Sequence, residues 1–201
     1  MLTLKKVAVT GGLASGKTSV CRILESCGAY VISADQVVHK LLSPNHVIGQ
    51  QVISLLGSDV SSEKQIDRSK VAEIVFSNPE KLQALENLIH PAVLDEIERC
   101  YQEISKEKNY PLFIAEIPLL YESESENMFD AVISVIADES VCKERFQKST
   151  GYSASEFNRR MARQHHPEQK AAAADYVLFN NGDFEQLKDQ VSKIYPMLIS
   201  N

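Results

Sequence analysis

The four cysteines of this 201-residue chain, Cys21, Cys27, Cys100 and Cys142, include no Cys-x-x-Cys pair. That absence argues against a zinc site or a disulfide framework, and favours packing as the role of Cys21 and Cys27, which lie on or just after the first predicted helix. No apolar run is long enough to span a bilayer and no signal-like apolar segment precedes the first strand, so the expectation is a cytoplasmic protein with no membrane partner. Internal repeats and a low-complexity tail are also missing. Basic residues are in deficit, 21 against 27 acidic ones for a net charge of −6, which argues against a general nucleic-acid surface and confines any anion site to a local feature. A hydrophobic fraction of 44% and a charged fraction of 24% are ordinary for a globule, and 201 residues suffice for one domain with insertions.

What is present is organised around Val7 to Val20, VAVTGGLASGKTSV. Gly11, four residues, then Gly16-Lys17-Thr18 is the spacing of a phosphate-binding P-loop. Leu4 to Thr10 reads as a buried strand and Thr18 to Glu25 as the first turns of a helix, which is the setting such a loop requires. A glycine turn between strand and helix is ordinary in itself, but all the fixed positions together at one such step are not. Glycines at 11, 12 and 16 are expected to take left-handed conformations and let the backbone approach a phosphate. The N–H groups of Gly12, Leu13, Ala14, Ser15 and Gly16 would then form an anion nest at a helix N-terminus. Lys17 would reach the β and γ phosphates and the Thr18 hydroxyl would ligate Mg²⁺, so a nucleoside triphosphate is the expected ligand. An N-K-x-D guanine-reading motif is absent, which disfavours a nucleotide-switch GTPase.

Gly28 is expected to close the first helix, and Ala29 to Ile32 to form a short strand ending in Ser33-Ala34-Asp35. Strand ends face the ligand in an open α/β sheet, so Asp35 is a candidate site residue; it is equally a candidate N-cap for a helix starting at Gln36, and the two roles can coexist. Residues 36–108 read as helical, with apolar positions at Val37, Leu41, Ile48, Val52, Leu55 and Leu56 and turns at Ser43-Pro44-Asn45 and Gly57-Ser58-Asp59. A polar stretch from Ser61 to Gln65 precedes a helix over Asp67 to Phe76, and Asn78-Pro79 starts another. About seventy residues between two strands exceed one crossover helix and predict a helical insertion that holds a substrate. Within it, His90-Pro91 predicts a kink or a break with a fresh start, where His90 either hydrogen-bonds substrate or caps the break.

Pro111 to Ile117 is the next predicted strand, ending in Glu116. A carboxylate there, in a P-loop protein, acts on Mg²⁺ through water, and between Ile114 and Ile117 it would be costly to bury without a partner. Asp130 to Ile136 reads as a strand and Asp138 to Lys148 as a helix carrying Lys143, Arg145 and Lys148. After Gly151-Tyr152-Ser153 comes a helix with Arg159, Arg160 and Arg163, then Gln164-His165-His166-Pro167. This basic cluster in an acidic chain has the make-up of a mobile lid that clamps phosphates, with about half of it on solvated faces. The histidine pair lacks zinc spacing. Tyr176 to Phe179 is the last strand, closed by Asn180-Asn181-Gly182, and the final helix, Phe184 to Leu198, packs Leu187, Val191 and Ile194 on the sheet.

The GGLASGKT loop, Ser33-Ala34-Asp35, His90-Pro91, EIPLLYE at 116–122, Arg145, the Arg160 to Gln164 spacing and ADYVLFNNG at 174–182 occur in order. On these motifs the chain resembles the dephospho-coenzyme A kinase family of P-loop enzymes. The resemblance implies an α/β fold with a five-stranded parallel sheet flanked by helices, divided into a core (about 1–35, 109–139 and 169–201), a helical CoA-binding insertion (about 36–108) and a helical lid (about 140–168). It implies ATP-dependent phosphorylation of the ribose 3′-hydroxyl of dephospho-CoA, with Mg²⁺, by a monomer or weak homo-oligomer. Asp35, matching the second acid of the family's D-A-D, is implied as the base; Ser33 replaces the first acid, Ala14 stands where the family often has glycine, and Lys148 where arginine is usual. Lys17 and Arg145 are the other implied catalytic residues, with Arg160 and Asn180 joining the loop in binding ATP. Asp35, His90, Glu116 and Leu119 are implied to bind the acceptor, and Thr18 and Glu116 to hold Mg²⁺ directly or through water. Another small-molecule P-loop kinase, with a nucleotide or polyol acceptor, is the alternative.

The loop yields a first prediction. Lys17→Ala is expected to fold but to lose most phosphoryl transfer, because a charge aimed at the β and γ phosphates acts on the transition state. Near-normal ADP release by that variant would remove the P-loop reading.

Overall fold

The computed structural model describes residues 4–62 and 65–200. In chain order it contains β1 (Lys5–Gly11), α1 (Lys17–Ser26), β2 (Tyr30–Ser33), α2 (Ala34–Leu41), α3 (Val47–Leu56), α4 (Arg68–Phe76) and α5 (Pro79–Glu107). It continues with β3 (Leu112–Glu116), β4 (Ala131–Ile136), α6 (Glu139–Thr150), α7 (Ala154–Met161), α8 (Pro167–Ala173), β5 (Tyr176–Phe179) and α9 (Phe184–Ile199). Two compact units result, Met1–Ser33 with Tyr101–Asn201, and Ala34–Cys100.

The first unit is built on a five-stranded sheet of order β2-β3-β1-β4-β5 in which every pairing is parallel. β1 is buried from Lys6 to Gly11, as a strand covered on both faces must be, and this explains its near-continuous apolar run. Alternate residues divide between the faces. Val7, Val9, Leu112, Ile114, Ile133 and Val135 meet Val20, Ile23 and Leu24 of α1 and Leu187, Val191 and Leu198 of α9. On Phe113 the rings of Tyr30 and Tyr101 pack at 5.5 and 5.3 Å. In register Val9 lies beside Glu116 on one side and Ile133 on the other, so the carboxyl ends of the strands share one edge. The five-stranded parallel α/β fold read from the sequence is the one observed.

At the far edge, β5 faces no further strand among the described residues. The outward N–H of Phe179 donates to the Gln190 side chain at 2.9 Å, and the Gln190 amide donates back to the Phe179 carbonyl at 2.8 Å.

Two expectations need correction. α2 begins at Ala34, which puts Asp35 inside its first turn, exposed, rather than at the N-cap. α5 runs unbroken over 29 residues through Pro91. Proline forfeits one backbone bond there, but its φ is helical and the helix buries Leu85, Val93 and Ile97 on either side of it, so packing outweighs the local penalty. His90 therefore caps no break.

In the second unit, Leu42, Val52, Leu56, Val60, Ile66, Val71, Val75 and Leu85 form a core of their own. The polar stretch Ser61 to Gln65 is bounded by an antiparallel bridge between Ser61 and Ile66, and its residues 63–64 lie outside the described residues. Asp67 caps α4, accepting from the Ser69 N–H at 2.9 Å, and Asn78 caps α5, accepting from the Lys81 N–H at 3.0 Å. No helix among the described residues is long and apolar enough to cross a membrane.

Gly49 sits inside α3 although alanine is the better helix former by about 1 kcal/mol. A Cβ there would lie 1.9 Å from the Ser43 carbonyl oxygen, a backbone atom that cannot swing aside. Overpacking therefore wins, and Gly49→Ala is expected to lower stability by about 1–3 kcal/mol in urea unfolding. An unchanged or higher midpoint would show that the turn at Ser43 gives way freely.

Candidate active site

The loop between β1 and α1 departs from regular backbone where the spacing of its glycines suggests, with one exchange. Gly11 (φ 142) and Gly16 (φ 102) take positive φ, but Gly12 does not; the third such position is Ala14, at φ 57. A left-handed alanine costs roughly 1 kcal/mol. Gly12 is instead selected by close approach, because a Cβ on it would lie 3.3 Å from the Pro167 side chain. No side-chain hydrogen bond caps α1, whose N-cap is Gly16, and the Ser19 and Val20 N–H groups donate to the Gly16 carbonyl at 3.0 and 3.2 Å, which leaves the very start of the helix to face the loop.

Lys17 is buried at 8% exposure, and its ammonium donates to the carbonyls of Gly12 at 2.8 Å and Gly11 at 3.2 Å. At the mouth of the loop the Thr18 hydroxyl donates to a Glu116 carboxylate oxygen at 2.7 Å. A hydroxyl and a carboxylate this close form a hard-oxygen pair of the kind a small divalent cation takes. The partner whose absence would make Glu116 costly at a strand end is thus Thr18. Cys21 lies beneath; burial pushes its thiol well above the usual range and the Glu116 charge adds to this, so it is inert.

Asn180 supports the loop from behind. Its buried side-chain amide donates to the Ser15 carbonyl at 2.8 Å, and a Cβ on Gly16 would fall 2.0 Å from that nitrogen. Arg145 donates to the Asn180 main-chain carbonyl at 2.9 Å, and the Asn180 N–H donates to Ile136 at 2.8 Å. Gly16, Arg145, Asn180, Gly182 and Phe184 line a cleft of about 180 Å³. A larger cavity, about 440 Å³, lies over the other end of the loop, between Gly12, Leu13, Cys142, Phe157, Met161 and Pro167. Leu13 and Ala14 pack on the cluster of Cys142, Phe146 and Phe157, which ties the loop to α6 and α7.

Arg160 is fixed by neighbours on its own face. It donates to Glu156 at 2.8 Å, and its guanidinium lies 5.5 Å from the Phe146 ring and 5.0 Å from the Tyr152 ring. Arg159 and then Arg160 hold the Glu156 carboxyl down at about 2, so it is ionised at any working pH. Leu119 is half-buried in the turn after β3, its carbonyl accepting from Ser123 Oγ at 2.8 Å. Asp35 and His90 belong to the second compact unit. Lys170 has no counterpart in the sequence reading: it is 1% exposed and ion-paired with Glu122 at 2.7 Å. A lone cation among the alanines of Pro167–Ala173 was the available signal.

A phosphate-binding loop with an adjoining hydroxyl–carboxylate pair, on a parallel sheet of this order, defines a P-loop kinase. A family model described as dephospho-CoA kinase matches residues 5–186. The chain belongs to the dephospho-CoA kinase family. Among similar proteins, the dephospho-CoA kinase of Protochlamydia amoebophila is 50% identical over 199 residues, covering 98% of each chain. That of Chlamydia abortus is 48% identical over 195 residues, covering 97% of this chain and 96% of its own. The solved dephospho-CoA kinase from Campylobacter jejuni superposes with a TM-score of 0.71 at 29% identity, covering 96% of both.

Removing the loop's support tests its importance. Asn180→Ala deletes the bond to Ser15 but leaves the carbonyl that holds Arg145, and a buried carbonyl left unpaired costs about 1–3 kcal/mol. ATP affinity, measured by titration calorimetry, is expected to fall roughly tenfold or more with little change in fold. Unchanged affinity would show that the loop holds its shape unaided.

Proposed function

We propose that the chain transfers the γ-phosphoryl group of ATP to the ribose 3′-hydroxyl of dephospho-CoA, giving coenzyme A and ADP, the last step of coenzyme A synthesis. The observation that carries this reading is the Thr18–Glu116 pair at 2.7 Å at the mouth of the glycine nest, in a chain of this family. Gly12, Leu13, Ala14, Ser15 and Gly16 bind the phosphate chain with their N–H groups. Lys17 supplies positive charge from within the loop, Arg145 lines the neighbouring cleft where its planar fork suits a base or phosphate, and Arg160 adds charge from α7. Thr18 and Glu116 would hold Mg²⁺, directly or through water; when bound, the ion neutralises charge on the phosphates.

Phosphoryl transfer is mainly positioning and electrostatic stabilisation, so the remaining need is a group that orients the acceptor hydroxyl and takes its proton. We assign this to Asp35, and contact with the acceptor to His90, Glu116 and Leu119, on the family resemblance. The same reading makes residues 36–108 the acceptor-binding insertion and 140–168 the lid. It places the enzyme in the cytoplasm as a monomer or weak homo-oligomer acting on small molecules, with no nucleic-acid or membrane partner.

Two measurements test this. A coupled ADP-release assay across dephospho-CoA, nucleotides and polyols is expected to select dephospho-CoA; selection of another acceptor would move the chain's activity away from its family. Asp35→Asn is expected to bind ATP normally and to lose about 10²-fold or more in turnover. Because Asp35 is exposed and caps no helix, its loss has little structural cost to confuse the result. A rate within a few-fold of wild type at unchanged stability would remove the base assignment and leave the kinase reading standing.

A further inference from the structure

Lys170 joins three segments that are far apart in sequence. Its ammonium lies 2.7 Å from Glu122 Oε1 and donates to the Pro118 carbonyl at 2.8 Å. That carbonyl also accepts from Thr10 Oγ1 at 3.4 Å, one residue before the phosphate loop begins. The same Glu122 oxygen accepts from the His165 N–H at 2.8 Å, in the link between α7 and α8. One buried charge therefore gathers the end of β1, the turn that leaves Glu116, and the segment following Arg160.

Stability alone is a poor reason for such a pair. Burial costs the ammonium much of its hydration and lowers its pKa, and the second Glu122 oxygen is buried with no hydrogen-bond partner among the described residues. Apolar side chains of similar volume often hold a fold as well or better. What apolar groups cannot do is fix the direction of a carbonyl and a backbone N–H at once. Pro118 is two residues past Glu116, whose carboxylate must stay on Thr18, and the turn's internal hydrogen bonds begin only at the Leu119 carbonyl, so the Pro118 carbonyl is set by Lys170 and Thr10.

We propose that Lys170 and Glu122 are positioning residues for phosphoryl transfer, holding the 118–122 turn so that Glu116 stays on Thr18 while anchoring the link that follows Arg160. The proposal rests on the kinase reading above. Lys170 acts through the Pro118 carbonyl and Glu122 through the His165 N–H.

The test separates charge from fold. Lys170→Met leaves a buried unpaired carboxylate and is expected to lower Tm by about 6 °C or more. The double variant Lys170→Met with Glu122→Met removes both charges and is expected to recover most of that loss. Its kcat, normalised to the folded fraction at the assay temperature by circular dichroism, is expected to stay about tenfold or more below wild type, with KM for ATP little changed. A double variant that recovers kcat along with Tm, or that stays as unstable as Lys170→Met, overturns the proposal, since the pair then acts through the fold. Wild type is assayed in parallel on the acceptor panel. Failure to accept dephospho-CoA sinks the functional reading, whereas the variant ratio, read on whichever acceptor wild type uses, decides the role of the pair.

Discussion

Parallel pairing of β1 with both β3 and β4 is the constraint from which the site follows. Because the strands run one way, the segments after Gly11, Glu116, Ile136 and Phe179 all leave from the same edge of the sheet. The phosphate loop, the carboxylate beside Thr18 and the amide behind Ser15 meet there, although they are scattered through the sequence. Parallel strands cannot be joined by tight turns, so each connection must be long. The chain uses that length. α1 carries Lys17 and Thr18, Ala34–Cys100 separates β2 from β3, and α6, α7 and α8 bring Arg145, Arg160 and Lys170 between β4 and β5.

The parts of this arrangement legible in the sequence are those enforced by local chemistry. A P-loop needs particular residue types at fixed spacing because its ligand is bound by backbone, and continuous apolar runs such as VAV and LFIA mark strands covered on both faces. Local rules misled where packing intervened. Glycine is the default for positive φ, yet Ala14 takes that conformation while Gly12 is kept small by Pro167. Proline is the default helix breaker, yet α5 passes through Pro91 because both flanks are buried.

What could not be read were partnerships at long range. Asn180, which the family resemblance assigns to ATP binding, also bonds through its side chain to Ser15, 165 residues away. Lys170 meets Pro118 across 52 residues. No spacing rule links such positions, since they become neighbours only when the sheet assembles. Arg160 shows the same limit differently: its charge and the Glu156 carboxylate one helical turn before it are local, but the Phe146 ring reaches its guanidinium only when α6 packs against α7.

The Gln190 side chain on β5 gives the sheet an ending. In a parallel sheet the next strand would attach through the outward N–H and C=O of one residue in every two, and on β5 the last such residue is Phe179. Its two groups are met by a single primary amide, which has the same donor and acceptor as a peptide unit but no chain continuing beyond it. Strand addition is opposed at that end of the edge without a proline or a charge. The exposed ring of Phe179 thus sits over backbone groups that are already bonded.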